Sequence, residues 1–268
     1  MRLTKHHGLG NDFLIVLDEA NDGPVTVGPD DARRLCNRRT GIGADGLIHG
    51  RGDEAVRMTL YNSDGSRAEI SGNGVRCLGQ AVALARALPQ LEIDVVSDAG
   101  THRVAVEAGP TGDTAVVTAE MGAVVVFADG ELIGAEEALR AELSVGRIGR
   151  GSIGNPHIVA EVADPGAIDL ADIGPRIELA VADGVNVELI RAASEPDTIE
   201  MAVWERGAGI TRACGSGACV AASFAHDWGL AGPDVQVSMP GGVAEVLLGE
   251  PVRLRGPVVW VATVVVPE

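Results

Sequence analysis

The chain of 268 residues is 46% hydrophobic but only 3% aromatic, so a sizeable core must be built from Val, Ala, Leu and Ile. Its formal net charge of −17 disfavours nucleic acid and anionic membrane surfaces as partners. No stretch approaches the roughly 18 uncharged apolar residues of a membrane span, and the opening MRLTKHHGLGNDF has no apolar h-region, so a cytoplasmic protein without a signal peptide is expected.

In chain order, the first predicted strand is Phe13–Leu17. A helix over Asp31–Arg39 is entered through Gly28-Pro29-Asp30. Strand Val56–Tyr61 precedes a second helix, Val75–Leu88, rich in Ala and Leu and stopped by Pro89. Strands Ile93–Val96, Arg103–Glu107 and Ala115–Ala119 follow, then a helix over Ala135–Leu143 whose early Glu and late Arg140 suit the helix dipole. Strands Ile158–Val162, Val185–Ile190 and Ile199–Trp204 lead to a fourth helix, Ala218–Trp228, closed by Gly229. The last strands are Val235–Met239, Val243–Leu248 and Val258–Val266. Strands outnumber helices, and helices 75–88 and 218–228 are apolar almost all round. The pattern predicts an α+β chain with largely antiparallel sheets wrapped around two buried helices.

A diverged internal repeat runs through this order. Ser71-Gly72-Asn73-Gly74 opens one buried helix and Cys214-Gly215-Ser216-Gly217 the other. Asn62 stands as far before Ser71 as Glu205 stands before Cys214. Gly10-Asn11 matches Gly154-Asn155 one residue out of that spacing, and Ala44-Asp45-Gly46 resembles Ala182-Asp183-Gly184. Two similar halves are expected: residues 1–120 with a returning C-terminal strand near 255–268, and residues 145–254, joined by 121–144.

The candidate chemistry lies at the two helix openings. Glycines there let backbone N–H groups approach a ligand, and the helix start adds partial positive charge suited to a carboxylate. Two copies in matched halves suggest one ligand anion held between them. Cys214, at such a start, is expected to have a lowered thiol pKa and to serve as base or nucleophile. Cys77 and Cys219 fall inside the helices and read as packing thiols, as does Cys36. With no CxxC pair and no histidine cluster, no metal site is expected. Glu205 and Arg206 fit either the ammonium and carboxylate of a ligand or a surface ion pair. Asn11, Asn62, Asn155 and Asn186 sit at Gly-flanked strand ends, where asparagine is ordinarily structural. His157 reads as either an orienting group or a core histidine, and His6 and His7 carry no signal.

GLGNDF (8–13), NSDGSRAEISGNGVRC (62–77), GNPH (154–157), DGVNVE (183–188) and ERGAGITRACGSGA (205–218) together resemble the diaminopimelate epimerases. The resemblance implies two pseudo-symmetric halves, each a mostly antiparallel, barrel-like sheet around a central helix, closing on the ligand, and a homodimer. It implies interconversion of LL- and meso-diaminopimelate, in lysine and peptidoglycan precursor synthesis, without pyridoxal phosphate or another cofactor. Two cysteines then face the α-carbon from opposite sides, one removing a proton as thiolate and the other delivering one as thiol. By matching motifs Cys214 is one of the pair and position 71 the other. Gly72-Asn73 and Gly215-Ser216 become binders of the α-carboxylate, and Glu205 and Arg206 binders of the substrate. Asn11, Asn62, Asn155 and Asn186 become substrate contacts, several at the distal amino-acid end, and His157 and Glu205 assist the thiols. Related proline racemases usually carry His where this chain has Asn73.

Two positions depart from the family pattern. Gly46 stands where Gln is common, and Ser71 stands where the first cysteine belongs. A serine hydroxyl is a far weaker acid than a thiol, each pKa unit costs about 1.36 kcal/mol, and a helix dipole returns only about 0.3–2 kcal/mol. Three readings of Ser71 stay open: an introduced Cys→Ser change that stops turnover, a natural serine with reduced activity, or a related one-base reaction. The alternatives to the epimerase are accordingly a proline-type racemase or hydroxyproline dehydratase, and a catalytically impaired amino-acid binder.

Overall fold

The computed structural model describes residues 1–267. In chain order its elements are β1 (Arg2–Gly8), β2 (Asn11–Leu17), α1 (Pro29–Leu35), β3 (Gly46–Arg51), β4 (Ala55–Asn62), β5 (Arg67–Ala68), α2 (Gly72–Ala85), β6 (Gln90–Ser97), β7 (Gly100–Ala108) and β8 (Thr114–Gly122). Then come β9 (Val125–Val126), α3 (Ile133–Glu142), β10 (Ile148–Ser152), β11 (Pro156–Glu161), α4 (Leu170–Leu179), β12 (Asn186–Ala192) and β13 (Thr198–Glu205). The chain finishes with β14 (Gly209–Ile210), α5 (Gly215–Asp227), β15 (Asp234–Met239), β16 (Gly242–Leu247) and β17 (Val252–Val265). It divides into two compact units, Met1–Glu120 with the chain from Arg255 onward, and Met121–Leu254. The fold is α+β, as expected.

In the first unit the pairings close a ring. β1–β2, β3–β4 and β6–β7 are antiparallel, while β2–β3 and β4–β6 are parallel. β7 pairs β8, β8 pairs β17, and β17 returns antiparallel to β1. Eight strands thus form a barrel with no free edge, the arrangement that removes unpaired backbone groups. α2 lies inside it, buried from Gly72 to Ala83 and packed on β1, β2, β3, β6 and β7. Only Gly fits at position 79, because a Cβ there would stand 2.7 Å from Val104. α1 covers the outer face of β2 and β3 through Ala32 and Leu35 against Leu14, Val16 and Leu47. β2 is therefore buried on both faces, as a parallel partner needs to be.

The second unit repeats the sequence of pairings. β10–β11, β12–β13 and β15–β16 are antiparallel, and β11–β12 and β13–β15 are parallel. α5 is buried from Gly215 to Ala222 and packs on β10, β11, β12, β13, β15 and β16. α3 and α4 cover the outer face, where Leu139, Ile173 and Ile177 meet Ile158, Val187 and Leu189.

Several expectations are corrected. α2 and α5 begin at Gly72 and Gly215, so the Gly-x-Gly elements are the first turns of the helices rather than loops before them. α1 ends at Leu35, four residues earlier than expected. Strands β1, β3 and β10 are additions. β1 was hidden by Lys5-His6-His7, yet His6 faces inward, hydrogen-bonded to Gln80 (2.8 Å) and Thr4 (2.9 Å). Burial pushes His6 down to about 4, so it enters the barrel uncharged at neutral pH. β10 was hidden by its glycines, which make room for a helix side chain: a Cβ at Gly149 would meet the Phe224 ring at 2.5 Å. α4 was hidden by Pro175 in its interior, ordinarily a breaker. Its start is marked by Asp169, whose carboxylate caps the Ala171 N–H at 3.1 Å.

Candidate functional site

In the first unit, Ser71 is the N-cap of α2. Its backbone is extended and its Oγ accepts the Gly74 N–H at 3.1 Å. Gly72 and Asn73, the next two residues, are buried. Asn73 donates from Nδ2 to Asn11 Oδ1 (3.2 Å) and accepts from Arg76 on Oδ1 (2.5 Å). Asn11 in turn donates to Asp45 (2.9 Å), a carboxylate shared with Arg38 (2.7 Å) and the Asp12 N–H (3.0 Å). Arg38 and Lys5 also engage Asp12. Burial works to raise the Asp12 carboxyl, but hydrogen bonds from Arg38 and Lys5 outweigh it and hold the group below its usual value. A charged network thus fixes Asn11 against the helix start. Asn62 ends β4 opposite Gly46 and bonds its own turn through Ser66 Oγ (3.0 Å) rather than joining this network. Gly46 is crowded: a Cβ would stand 2.9 Å from Tyr61 O and 3.2 Å from the Phe13 ring.

In the second unit, Cys214 is the N-cap of α5 with the same extended backbone, its Sγ accepting the Gly217 N–H at 3.3 Å. Ser216 Oγ lies 3.5 Å from Sγ, and Gly215 and Ser216 are buried. Glu205, at the end of β13, accepts a hydrogen bond from the Thr211 hydroxyl and acts electrostatically on the Cys214 thiol. Asn186 donates to Pro156 O (2.7 Å) and accepts the Arg206 N–H (3.0 Å), tying the starts of β11 and β12 to the turn after β13. The Arg206 guanidinium reaches Asp183 O (3.3 Å) across the Gly184 turn. His157, fully buried, meets Asn155 Oδ1 through Nε2 (2.9 Å) and Glu188 Oε1 through Nδ1 (2.7 Å). Asn155, His157, Asn186, Glu205, Arg206, Cys214 and Ser216 therefore all lie in one linked region of this unit.

The charge state of Cys214 corrects the expectation of a lowered thiol. Burial is the largest effect, the charges of Glu205 and Glu188 add to it, and together they push the thiol well above its usual value. The amide of Gly217 and the hydroxyl of Ser216 pull the other way and lose. Glu205 is pushed up to about 7, chiefly by burial and then by Glu188, against the lowering bonds from Thr211 and Cys214. The pair is a thiol beside a carboxyl that is half-ionised near neutrality, so the thiol proton has an acceptor at hand.

Glu188 is the site residue that sequence reasoning missed. Its signal was the lone carboxylate in the Val185–Ile190 run, set between Val187 and Leu189, since glutamate is almost never fully buried unless paired. Cys36 and Cys77 are pushed up to about 12 by burial and stay inert thiols. Among the described residues, no group of His, Cys, Asp and Glu is placed to hold a metal ion, and no helix is long and apolar enough to cross a membrane.

The raised Glu205 has a consequence for stability. The folded value near 7 exceeds the ordinary 4.5, so the folded state binds this proton more tightly than the unfolded chain does. The resulting stabilisation is full below about 4.5 and is lost as pH rises through about 7. Glu205→Gln removes that loss. Its stability relative to the parent should improve between pH 5 and pH 8 by up to roughly 3 kcal/mol, measured by urea unfolding at both pH values. A difference independent of pH would contradict the assignment.

The diaminopimelate epimerase family model matches residues 3–127 and 151–260. A diaminopimelate epimerase of Synechococcus elongatus is 37% identical, covering 92% of this chain and 90% of that protein. One from Magnetococcus marinus is 36% identical over 96% of this chain and 93% of that protein. Among solved structures, a predicted epimerase from Pseudomonas aeruginosa superposes with a TM-score of 0.75 at 15% identity, covering 98% of both chains. A hydroxyproline epimerase from Agrobacterium vitis, with bound trans-4-hydroxy-L-proline, gives 0.68 at 15%, covering 98% of this chain and 91% of that one. The two likenesses at 15% speak for the fold alone.

Proposed function

We propose that this chain, which belongs to the diaminopimelate epimerase family, interconverts LL- and meso-diaminopimelate by moving the proton on one α-carbon, without a cofactor. The observation that carries the reading is the pair of matched helix starts. Ser71 and Cys214 cap buried Gly-x-Gly turns with the same backbone shape and the same bond to the amide three residues on. Backbone amides at such turns suit an α-carboxylate, and here the turns are those of Gly72-Asn73 and Gly215-Ser216.

In this reading Cys214 passes its proton to Glu205, and the thiolate then takes the α-proton of one substrate hand. Returning that proton restores the same configuration. Inversion needs a proton delivered by Ser71, which serves the opposite hand. His157 supports Cys214, while Asn11, Asn62, Asn155, Asn186 and Arg206 bind the substrate, several at its distal amino-acid end. A second polar end fits this amide-rich set better than proline does, which favours diaminopimelate over a proline-type substrate. The net charge of −17 supports a protein that avoids nucleic acid and anionic membranes, and we assign it to the cytoplasm as a homodimer in lysine precursor synthesis.

The test is deuterium uptake at the α-carbon of diaminopimelate in heavy water, followed by NMR. Uptake by this protein supports the reading. Absence of uptake by both this protein and its Ser71→Cys variant overturns it, and tight calorimetric binding in that case would mark an amino-acid binder.

A further inference from the structure

The two units place different side chains at equivalent positions around their central helices. In β2 and β3, Ile15 stands opposite Ile48; in β11 and β12, Val159 stands opposite Glu188. Likewise Phe13 opposes Gly46, and His157 opposes Asn186. Against the helices the equivalence is closer still. A Cβ at Gly74 would meet Ile48 Cδ1 at 3.1 Å, and one at Gly217 would meet Glu188 Oε1 at 2.4 Å. The place filled by Ile48 and Phe13 in one unit is thus filled by Glu188 and His157 in the other.

The apolar pair satisfies the fold. A fully buried carboxylate costs several kcal/mol of desolvation, and apolar replacements of buried ion pairs are often neutral or stabilising. Glu188 is 0% exposed, and its Oε2 has no hydrogen-bond partner among the described residues. Its Oε1 engages His157 Nδ1, whose other ring nitrogen faces Asn155 Oδ1. The Cβ position of Gly217 that meets Glu188 also lies 3.2 Å from Cys214 Sγ. The carboxylate therefore sits against the first turn of α5, next to the thiol.

Resting on the reading of Cys214 as the proton-transferring group, we propose that Glu188 is a positioning residue of this site: its carboxylate fixes the His157 ring against Asn155 and brings its charge to the helix start beside Cys214. The titratable groups around that thiol are Glu188 from β12, Glu205 from β13 and His157 from β11. Glu188 and Glu205 both work, after burial, to keep Cys214 protonated. The thiol is held in its neutral form until substrate arrives, with His157 locked in one orientation.

The variant to make is Glu188→Gln in the full-length protein, which keeps an acceptor for His157 but removes the charge. Two readouts apply. The ultraviolet thiolate absorbance of Cys214, taken as a difference against Cys214→Ala, should titrate at lower pH in Glu188→Gln than in the parent. The kcat for α-deuterium exchange with diaminopimelate should fall about tenfold at unchanged KM, less than the ~10²–10⁴ lost with a proton-transferring group itself. An unmoved thiol midpoint overturns the proposal whatever happens to Tm, and so does an unchanged kcat where the parent shows exchange. If the parent shows no exchange, the functional reading fails and the thiol midpoint alone decides the role of Glu188. Should Glu188→Gln fail to fold, the pair His157→Phe with Glu188→Ile copies Phe13 and Ile48 and carries the thiol titration in its place.

Discussion

Ser71→Cys should raise the rate of epimerisation by about 10²–10⁴-fold, the range that a positioned proton-transfer group contributes. The slot accepts the change. Cys214 occupies the same cap with an extended backbone and a sulfur that takes an amide hydrogen at 3.3 Å, against 3.1 Å for the Ser71 hydroxyl. What changes is acidity. A hydroxyl that gives its proton to a carbanion becomes an alkoxide, and no carboxylate stands in the equivalent places around it: Ile48 stands for Glu188, Phe13 for His157 and Asn62 for Glu205. The parent should therefore exchange the α-proton of one hand of diaminopimelate far faster than it inverts the centre, and Ser71→Cys should bring inversion up towards exchange. Chiral chromatography of LL and meso forms measures inversion, and NMR in heavy water measures exchange. A variant that exchanges normally yet inverts no faster than the parent would remove position 71 from the reaction.

How much of this was visible in the sequence follows from which forces are local. The helix starts at 71–74 and 214–217 were legible because glycine, a small capping residue and an apolar run mark them within a few neighbours. The repeat was legible for the same reason, and it carried the equivalence of Asn62 with Glu205 that the strand registers bear. β1 and β10 were not legible, because their inward residues answer to partners far along the chain. His6 is matched by Gln80, and Gly149 is small because Phe224 needs its space. The charge of Cys214 was misread for a related reason. The helix start is a local feature, whereas the burial and the carboxylates that overrule it arrive on β12 and β13. Glu188 illustrates both limits: its neighbours in sequence are apolar, and its partner His157 lies on another strand.

Cys214→Ser should abolish α-proton exchange while leaving the fold intact. The first unit is the control for the fold, since Ser71 already caps a buried Gly-x-Gly turn there and bonds the amide of Gly74. A serine at position 214 keeps that cap, so Tm should move by no more than the few degrees that about 1 kcal/mol produces in a domain of this size. Chemistry should not survive. The sulfur is the thiol beside Glu205, and that carboxyl, near 7, can draw a proton from a thiol but not from a much weaker hydroxyl acid. The expected loss of exchange is about 10²–10⁴-fold, and it should persist in the Ser71→Cys background, because a thiol at position 71 has no Glu205 equivalent to empty it. Exchange at the parental rate in Cys214→Ser, with either residue at position 71, would mean that another group moves the proton.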